Sequence, residues 1–179
     1  MWYVIKTPSG KEEKMMRLVE RTLDKSMYTR CFIPRAEYVW RRQGKSNVDI
    51  EMLFDGYIFI EAEEPEKMFT RLKVLPGLVW KLPDGKDDYD YTIQQVHKED
   101  ELFLSNLLLK DPQNIVRLSY IHRDANKRID KVEGPLEFYQ DCIVSVDYKH
   151  RRVFANVPLF GREQRIKFCV KTDEDLAQV

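Results

Sequence analysis

With 179 residues, 43% of them hydrophobic, and 30 basic against 30 acidic side chains, the chain is a globular protein of one large or two small domains and not a disordered one. No apolar run is long enough to cross a membrane, and Met1-Trp2-Tyr3-Val4-Ile5-Lys6 opens as a strand and not as a signal peptide, so a cytoplasmic protein is expected. Three scattered cysteines without a C-x-x-C pair (Cys31, Cys142 and Cys169) argue against a zinc site or a disulfide framework and predict buried thiols in a reducing compartment.

Residues 2–7 predict a strand, broken by Pro8-Ser9-Gly10. Ser9 precedes Glu12 by the spacing of a capping box. Met15, Leu18, Val19, Thr22 and Leu23 then follow at helical intervals, predicting an amphipathic helix over residues 11–26. Residues 31–34 read as a short strand, and residues 36–43 and 47–54 as a hairpin turning at Gly44. After an Asp55-Gly56 turn, Tyr57-Ile58-Phe59-Ile60 carries large residues on both faces, as a central strand does. A short helix over 66–74 ends at Pro76-Gly77, and Leu78-Val79-Trp80 resumes a strand. Asp84 to Asp90 reads as an exposed acidic loop, and residues 93–109 as a helix through Ile93, Val96, Leu102, Phe103, Leu107 and Leu108. Strands interleaved with helices predict an α+β domain over residues 1–109.

Lys110-Asp111-Pro112-Gln113-Asn114 has linker composition, which places a linker at 110–118. Beyond it only strands are predicted, over 115–122, 129–133, 142–147, 152–157 and 165–170. Asp124-Ala125-Asn126, Gly134-Pro135, Asp147-Tyr148-Lys149 and Phe160-Gly161 punctuate them, and five such strands predict a small all-β barrel over 119–179. From Arg117 to Lys171 the chain holds twelve lysines and arginines against seven carboxylates, a surplus that permits a polyanionic partner.

Catalysis needs converging groups with tuned acidity, and the sequence offers none. It lacks G-x-S-x-G, H-E-x-x-H and the phosphate-loop motif. His97, His122 and His150 lie in separate polar contexts and read as surface residues. Glu12-Glu13, Glu63-Glu64 and Asp87-Asp88 read as solvated charge. No enzyme, no cofactor and no metal are expected.

Several segments carry a resemblance. Met1 to Lys6 followed by Ser9-Gly10-Lys11-Glu12, then Phe54-Asp55-Gly56-Tyr57-Ile58-Phe59-Ile60 and Leu75-Pro76-Gly77-Leu78-Val79, resemble in order the N-terminal segments of the NusG family. Val132-Glu133-Gly134-Pro135-Leu136, residues 143–157 and Val157-Pro158-Leu159-Phe160-Gly161-Arg162 resemble its KOW motif and the segment after it. Asp55 stands where the family usually has proline, and Phe138-Tyr139-Gln140-Asp141 where it usually has further glycines. In this the sequence resembles the specialised LoaP-type paralogues more than the housekeeping factor.

The resemblance implies an NGN domain (antiparallel sheet with flanking helices, 1–109), a linker (110–118) and a five-stranded SH3-like KOW barrel (119–179). It implies a monomeric processive antiterminator with no membrane attachment. The NGN domain would grip the clamp helices of the largest RNA polymerase subunit through Phe54, Tyr57 and Phe59. The KOW domain would bind an RNA hairpin in the leader transcript. Lys127, Arg128, Lys131, Lys149, His150, Arg151, Arg152, Arg162 and Arg165 would supply the cations if the barrel brings them to one side, and Tyr120, Phe138 and Tyr139 are candidates for stacking bases. The alternative is a general elongation factor whose KOW domain binds Rho or a ribosomal protein and not RNA. A further alternative is a ribosome-associated KOW protein without polymerase contact.

Overall fold

The computed structural model describes residues 1–42, 45–75, 78–80, 91–109 and 111–176. The expected turn at Gly44, the Pro76-Gly77 helix end, the acidic loop from Asp84 to Asp90 and Lys110 lie outside the described residues. In chain order the elements are β1 (Trp2–Lys6), α1 (Glu12–Thr22), a 3-10 turn (Lys25–Met27), β2 (Arg30–Phe32), β3 (Arg35–Arg42), β4 (Lys45–Met52) and β5 (Tyr57–Glu61). There follow α2 (Pro65–Leu72), β6 (Leu78–Trp80), β7 (Tyr91–Gln95), α3 (Lys98–Leu108), β8 (Ile115–Val116), β9 (Ser119–Arg123) and β10 (Ile129–Glu133). A 3-10 segment (Pro135–Cys142), β11 (Ile143–Asp147), β12 (Arg152–Leu159), β13 (Arg162–Thr172) and the one-turn α4 (Asp173–Leu176) complete it. Two compact units result: Met1–Pro34 with Met52–Glu101, and Arg35–Glu51 with Leu102–Val179.

The first unit is a five-stranded sheet in the order β2-β5-β1-β7-β6. Its pairs are antiparallel except β6–β7, so the sheet is mixed where an antiparallel one was expected. On one face Tyr3, Ile5, Ile58, Ile60 and Ile93 pack against Met15 and Val19 of α1 and Met68 and Leu72 of α2. Burying each such aliphatic side chain contributes about 1.5–3 kcal/mol. Leu18, expected on that apolar face, is exposed. The opposite face carries Trp2, Phe32 and Phe59, so β5 is the two-sided central strand that its sequence predicts.

The helix expected over 93–109 starts late. Residues up to Gln95 are β7, with Ile93 opposite Ile5, and α3 begins at Lys98. Ile93 and Val96 stand three apart, a spacing that suited a helix until β1 claimed the backbone hydrogen bonds. Glu99, Asp100 and Glu101 fill the first turn of α3, where the helix dipole favours negative charge.

Helix α1 also starts differently from its motif. Its N-cap is Lys11, with no side-chain cap. Glu12, expected to be solvated, is buried, and its Oε1 accepts a hydrogen bond of 2.7 Å from the Gly56 amide. Gly56 sits at φ +81°, and a Cβ there would lie 2.6 Å from the Thr7 carbonyl oxygen. Only glycine fits the turn that delivers β5.

The second unit holds the sheet β10-β9-β13-β12-β11, antiparallel except for the parallel β13–β9 pair, and the sheet β4-β3-β8. Strict alternation turns Val153, Ala155, Val157 and Leu159 of β12 inward, with Ile166, Phe168 and Val170 of β13. The predicted strand over 115–122 is broken: Ile115 and Val116 pair in parallel with β3, and a new strand starts at Ser119. Pro135–Cys142 buries Leu136 and Tyr139. The Leu136 amide donates to Ser119 Oγ at 2.9 Å, and the Tyr139 hydroxyl donates to the Phe103 carbonyl at 2.8 Å.

Candidate interaction surfaces

The three aromatic residues expected to grip a partner differ in depth. Phe59 is fully buried and stacks on Phe32 at 5.8 Å, with Trp2 edge-on at 6.3 Å. Phe54 is buried at 8% exposure and Tyr57 is half-buried. Arg30 closes the edge of this cluster: its guanidinium lies 4.8 Å from the Trp2 ring and 4.7 Å from Phe32, and Nε meets Glu61 at 2.7 Å. On this face, Tyr57 is the member of the trio with surface to offer.

The cations do not converge on one side. The β9–β10 turn carries Lys127 and Arg128, and the β11–β12 turn carries Lys149 and His150, all exposed. Parallel β13–β9 pairing places both turns at the same end of the sheet, and Arg123 stacks 4.9 Å over Tyr148 between them. Arg162 opens β13 at the opposite end. It stands seven residues before Cys169, the partner of Arg152, which is roughly 23 Å along a strand. Lys131 is exposed but held by Glu133 at 2.5 Å. His150 Nδ1 meets Asp147 at 2.7 Å, and that hydrogen bond, before the coulombic effect of the same imidazole, holds the Asp147 carboxyl below its usual range.

Arg151 does not reach outward. At φ +56° it turns in, is 4% exposed, and Nε meets Asp175 of α4 at 2.8 Å while Nη1 donates to the Tyr148 carbonyl at 2.7 Å. Among the stacking candidates, Tyr139 is buried, Tyr120 is half-buried, and Phe138 is 52% exposed.

Three residues outside the sequence-derived set, Lys167, Tyr38 and Glu51, gather around two of its members, Arg152 and Arg165. Arg152 and Arg165 lie on the outward face of β12 and β13 with Lys167, which stands opposite Phe154. Arg152 lies 5.0 Å and Lys167 4.6 Å from the Tyr38 ring of β3, and Arg152 also donates to the Tyr38 hydroxyl. Lys167 Nζ meets Glu51 of β4 at 3.1 Å, and Arg165 stacks 4.6 Å over Phe154. Lys167 was findable: it alternates with Ile166 and Phe168, the inward positions of its strand. Tyr38 and Glu51 were not, since nothing local places residues 35–51 on a strand more than a hundred positions away.

Among the described residues, no group of three or more His, Cys, Asp or Glu could hold a metal ion, and no helix is long and apolar enough to cross a membrane. The cysteines, all expected to be buried, differ: Cys169 is buried, while Cys31, in the middle of β2, and Cys142, the last residue of the 3-10 segment, are half-buried. Desolvation, with a smaller contribution from Glu20, pushes the Cys31 thiol up to about 12, which removes it as a nucleophile at neutral pH.

Three comparisons with known proteins bear on these surfaces. The family described as transcription termination factor NusG matches residues 1–99. Curated proteins named transcription termination/antitermination protein NusG match end to end. The Thermus thermophilus one is 25% identical over 176 residues, and the Bacillus subtilis one 22% over 170, each covering 93% of both chains. The Helicobacter pylori relative is 21% identical over 171 residues with the same coverage. A solved structure, reported under the heading of domain interaction in Thermotoga maritima NusG, superposes with a TM-score of 0.51 at 21% identity, covering 94% of this chain and 93% of that one. That likeness supports the fold. The relatives are transcription factors and not enzymes, and this chain, matched by the family over more than half its length, belongs to the NusG family of transcription termination/antitermination factors.

Proposed function

We propose that the protein is a processive antiterminator of the LoaP type, acting in the cytoplasm as a monomer bound to RNA polymerase. Its functional division would be an NGN domain over 1–109, a linker over 110–118 and a KOW barrel over 119–179. Residues 1–109 would take the clamp helices of the polymerase's largest subunit at the aromatic face of the first sheet. Tyr57 would supply the contact, and Phe59 and Phe54 the floor beneath it. The observation that carries this half is the end-to-end match to termination/antitermination factors of similar length. The test is co-purification with core polymerase. Tyr57→Ala should abolish it while the circular dichroism of the protein is unchanged; retention at wild-type level would reject the assignment.

The C-terminal strands would bind structured RNA. Exposed Lys127, Arg128, Lys149 and His150 at one end of the sheet support this reading. Each neutralised phosphate releases a counterion, so affinity should fall steeply with salt. Gel-shift titration against leader hairpins at two salt concentrations tests it, and salt-insensitive or absent binding counts against it.

A second reading has its own support. Phe138 of the 3-10 segment and Val144 of β11 are large, apolar and about half exposed, which suits a protein partner. A general factor that engages Rho or a ribosomal protein there would bind that partner in pull-downs and ignore RNA.

A further inference from the structure

We infer that the outward face of β12 and β13 is a binding site for single-stranded RNA, occupied in this structure by the Tyr38 and Glu51 side chains in the manner of a nucleotide. The inference rests on the RNA-binding reading above and gives it a second location. Unpaired RNA offers a receptor two chemistries, a phosphate for cations and a flat base for stacking. The face has both. Arg152, Arg165 and Lys167 stand at neighbouring outward positions of two paired strands. Each cation lies against a ring, two of them against Tyr38 and one against Phe154.

The present occupants reproduce those chemistries. The Glu51 carboxylate sits 3.1 Å from Lys167 Nζ, where a phosphate oxygen would sit. The Tyr38 ring lies on Arg152 and Lys167 as a base would, and its hydroxyl accepts from Arg152. Glu51 can yield. The side chains of the Lys167–Glu51 pair are 39% and 49% exposed, so solvent and salt weaken it, and residues 47–51 of β4 are all exposed. Arg165, held only by Ser145 and Phe154, forms no ion pair among the described residues and is ready for a phosphate. RNA therefore binds this face in competition with the Tyr38 and Glu51 side chains of β3 and β4, and the protein's affinity for RNA is set partly by Glu51.

The experiment is fluorescence anisotropy of a labelled oligouridylate with the full chain. Glu51→Gln removes the carboxylate that occupies the phosphate position and should raise affinity several-fold. Glu63→Gln makes the same charge change on an exposed residue of the other unit and should not. Lys167→Gln should weaken binding and lower the slope of log affinity against log salt by about 0.7, the contribution of one phosphate on a single strand. In the Lys167→Gln background, Glu51→Gln should add nothing. Equal effects of Glu51→Gln and Glu63→Gln, or an unchanged salt slope in Lys167→Gln, overturn the site while leaving RNA binding at the Lys127 and Lys149 end intact. No binding by any variant at low salt overturns the RNA reading itself.

Discussion

The buried carboxylate of Glu12 accepts the Gly56 amide at 2.7 Å, joining the first turn of α1 to the turn before β5. Gly56 returns the link: its carbonyl accepts from Thr7 N at 2.8 Å, so β1, α1 and β5 are fastened at one point. Gly56→Ala should destabilise the first unit by about 2 kcal/mol or more. A positive φ costs an L-residue about 1–2 kcal/mol, and the new Cβ must also move the Thr7 backbone. Glu12→Ala should cost about 1–3 kcal/mol by stranding the Gly56 amide. The two losses should not add, because each breaks the same link. Urea unfolding of both single variants and the double variant measures this; full additivity would show that the two residues act independently.

Arg151 and Asp175 make the corresponding fastening in the second unit. Asp175 accepts from the guanidinium at 2.8 Å and from the Thr172 amide at 2.9 Å, holding α4 against the end of β13. Removing one partner of a buried pair leaves a desolvated charge, at about 3–5 kcal/mol. Asp175 is slightly exposed, so Asp175→Ala should fall at the lower end. A shift in denaturation midpoint equivalent to under about 1 kcal/mol, the range of exposed pairs, would mean that α4 fastens nothing. Replacing both residues by leucine should restore part of the loss, since the buried charge then disappears.

These two contacts mark where the sequence stopped being legible. The strands were readable because alternation is a local property: Val153, Ala155, Val157 and Leu159 face inward as their spacing predicts. Glu12 looked like a local cap, and a capping box and a long-range acceptor have the same residue in the same place. Arg151 looked like an outward cation because its positive φ is a property of the turn and not of the residue type. The cations divided between two ends of the sheet because strand register, which sets distance, leaves no trace in charge counts. Lys167 was legible as an outward residue, and its neighbours were not.

The aromatic face separates structural from contact roles. Phe59 is fully enclosed by its neighbours, so Phe59→Ala should cost about 3–5 kcal/mol as a large-to-small core change. Tyr57, half-buried at the start of β5, should tolerate alanine at a cost below about 1.5 kcal/mol. Thermal unfolding of the two variants decides this. A polymerase-binding defect is informative only in Tyr57→Ala, because Phe59→Ala lowers the folded population as well. If Phe59→Ala melts with the wild type, the ring is not part of the core and the face is open.

Segment 111–118, whose composition reads as a linker, is tied down by two carboxylates. Asp111 accepts from the Gln113 amide at 2.9 Å, the Ile115 amide at 3.2 Å and Arg117 Nε at 2.7 Å. Glu37 of β3 takes Arg117 Nη1 at 3.0 Å and the Leu118 amide at 2.9 Å. Burial alone would raise the Asp111 carboxyl, but Arg117 and the two amides outweigh it and hold it below its ordinary value of 3.8. A carboxyl depressed on folding stabilises the folded state above its unfolded pKa, and that contribution is lost as pH falls through the folded value. Acid should therefore loosen this segment below the ordinary carboxylate range, and Asp111→Asn should loosen it at neutral pH and flatten the acid response. Carboxyl carbon shifts of Asp111 followed by NMR titration give the folded pKa directly. Hydrogen exchange of the Gln113 and Ile115 amides reports the loosening, and a titration midpoint at or above 3.8 would show that Arg117 does not hold the carboxylate.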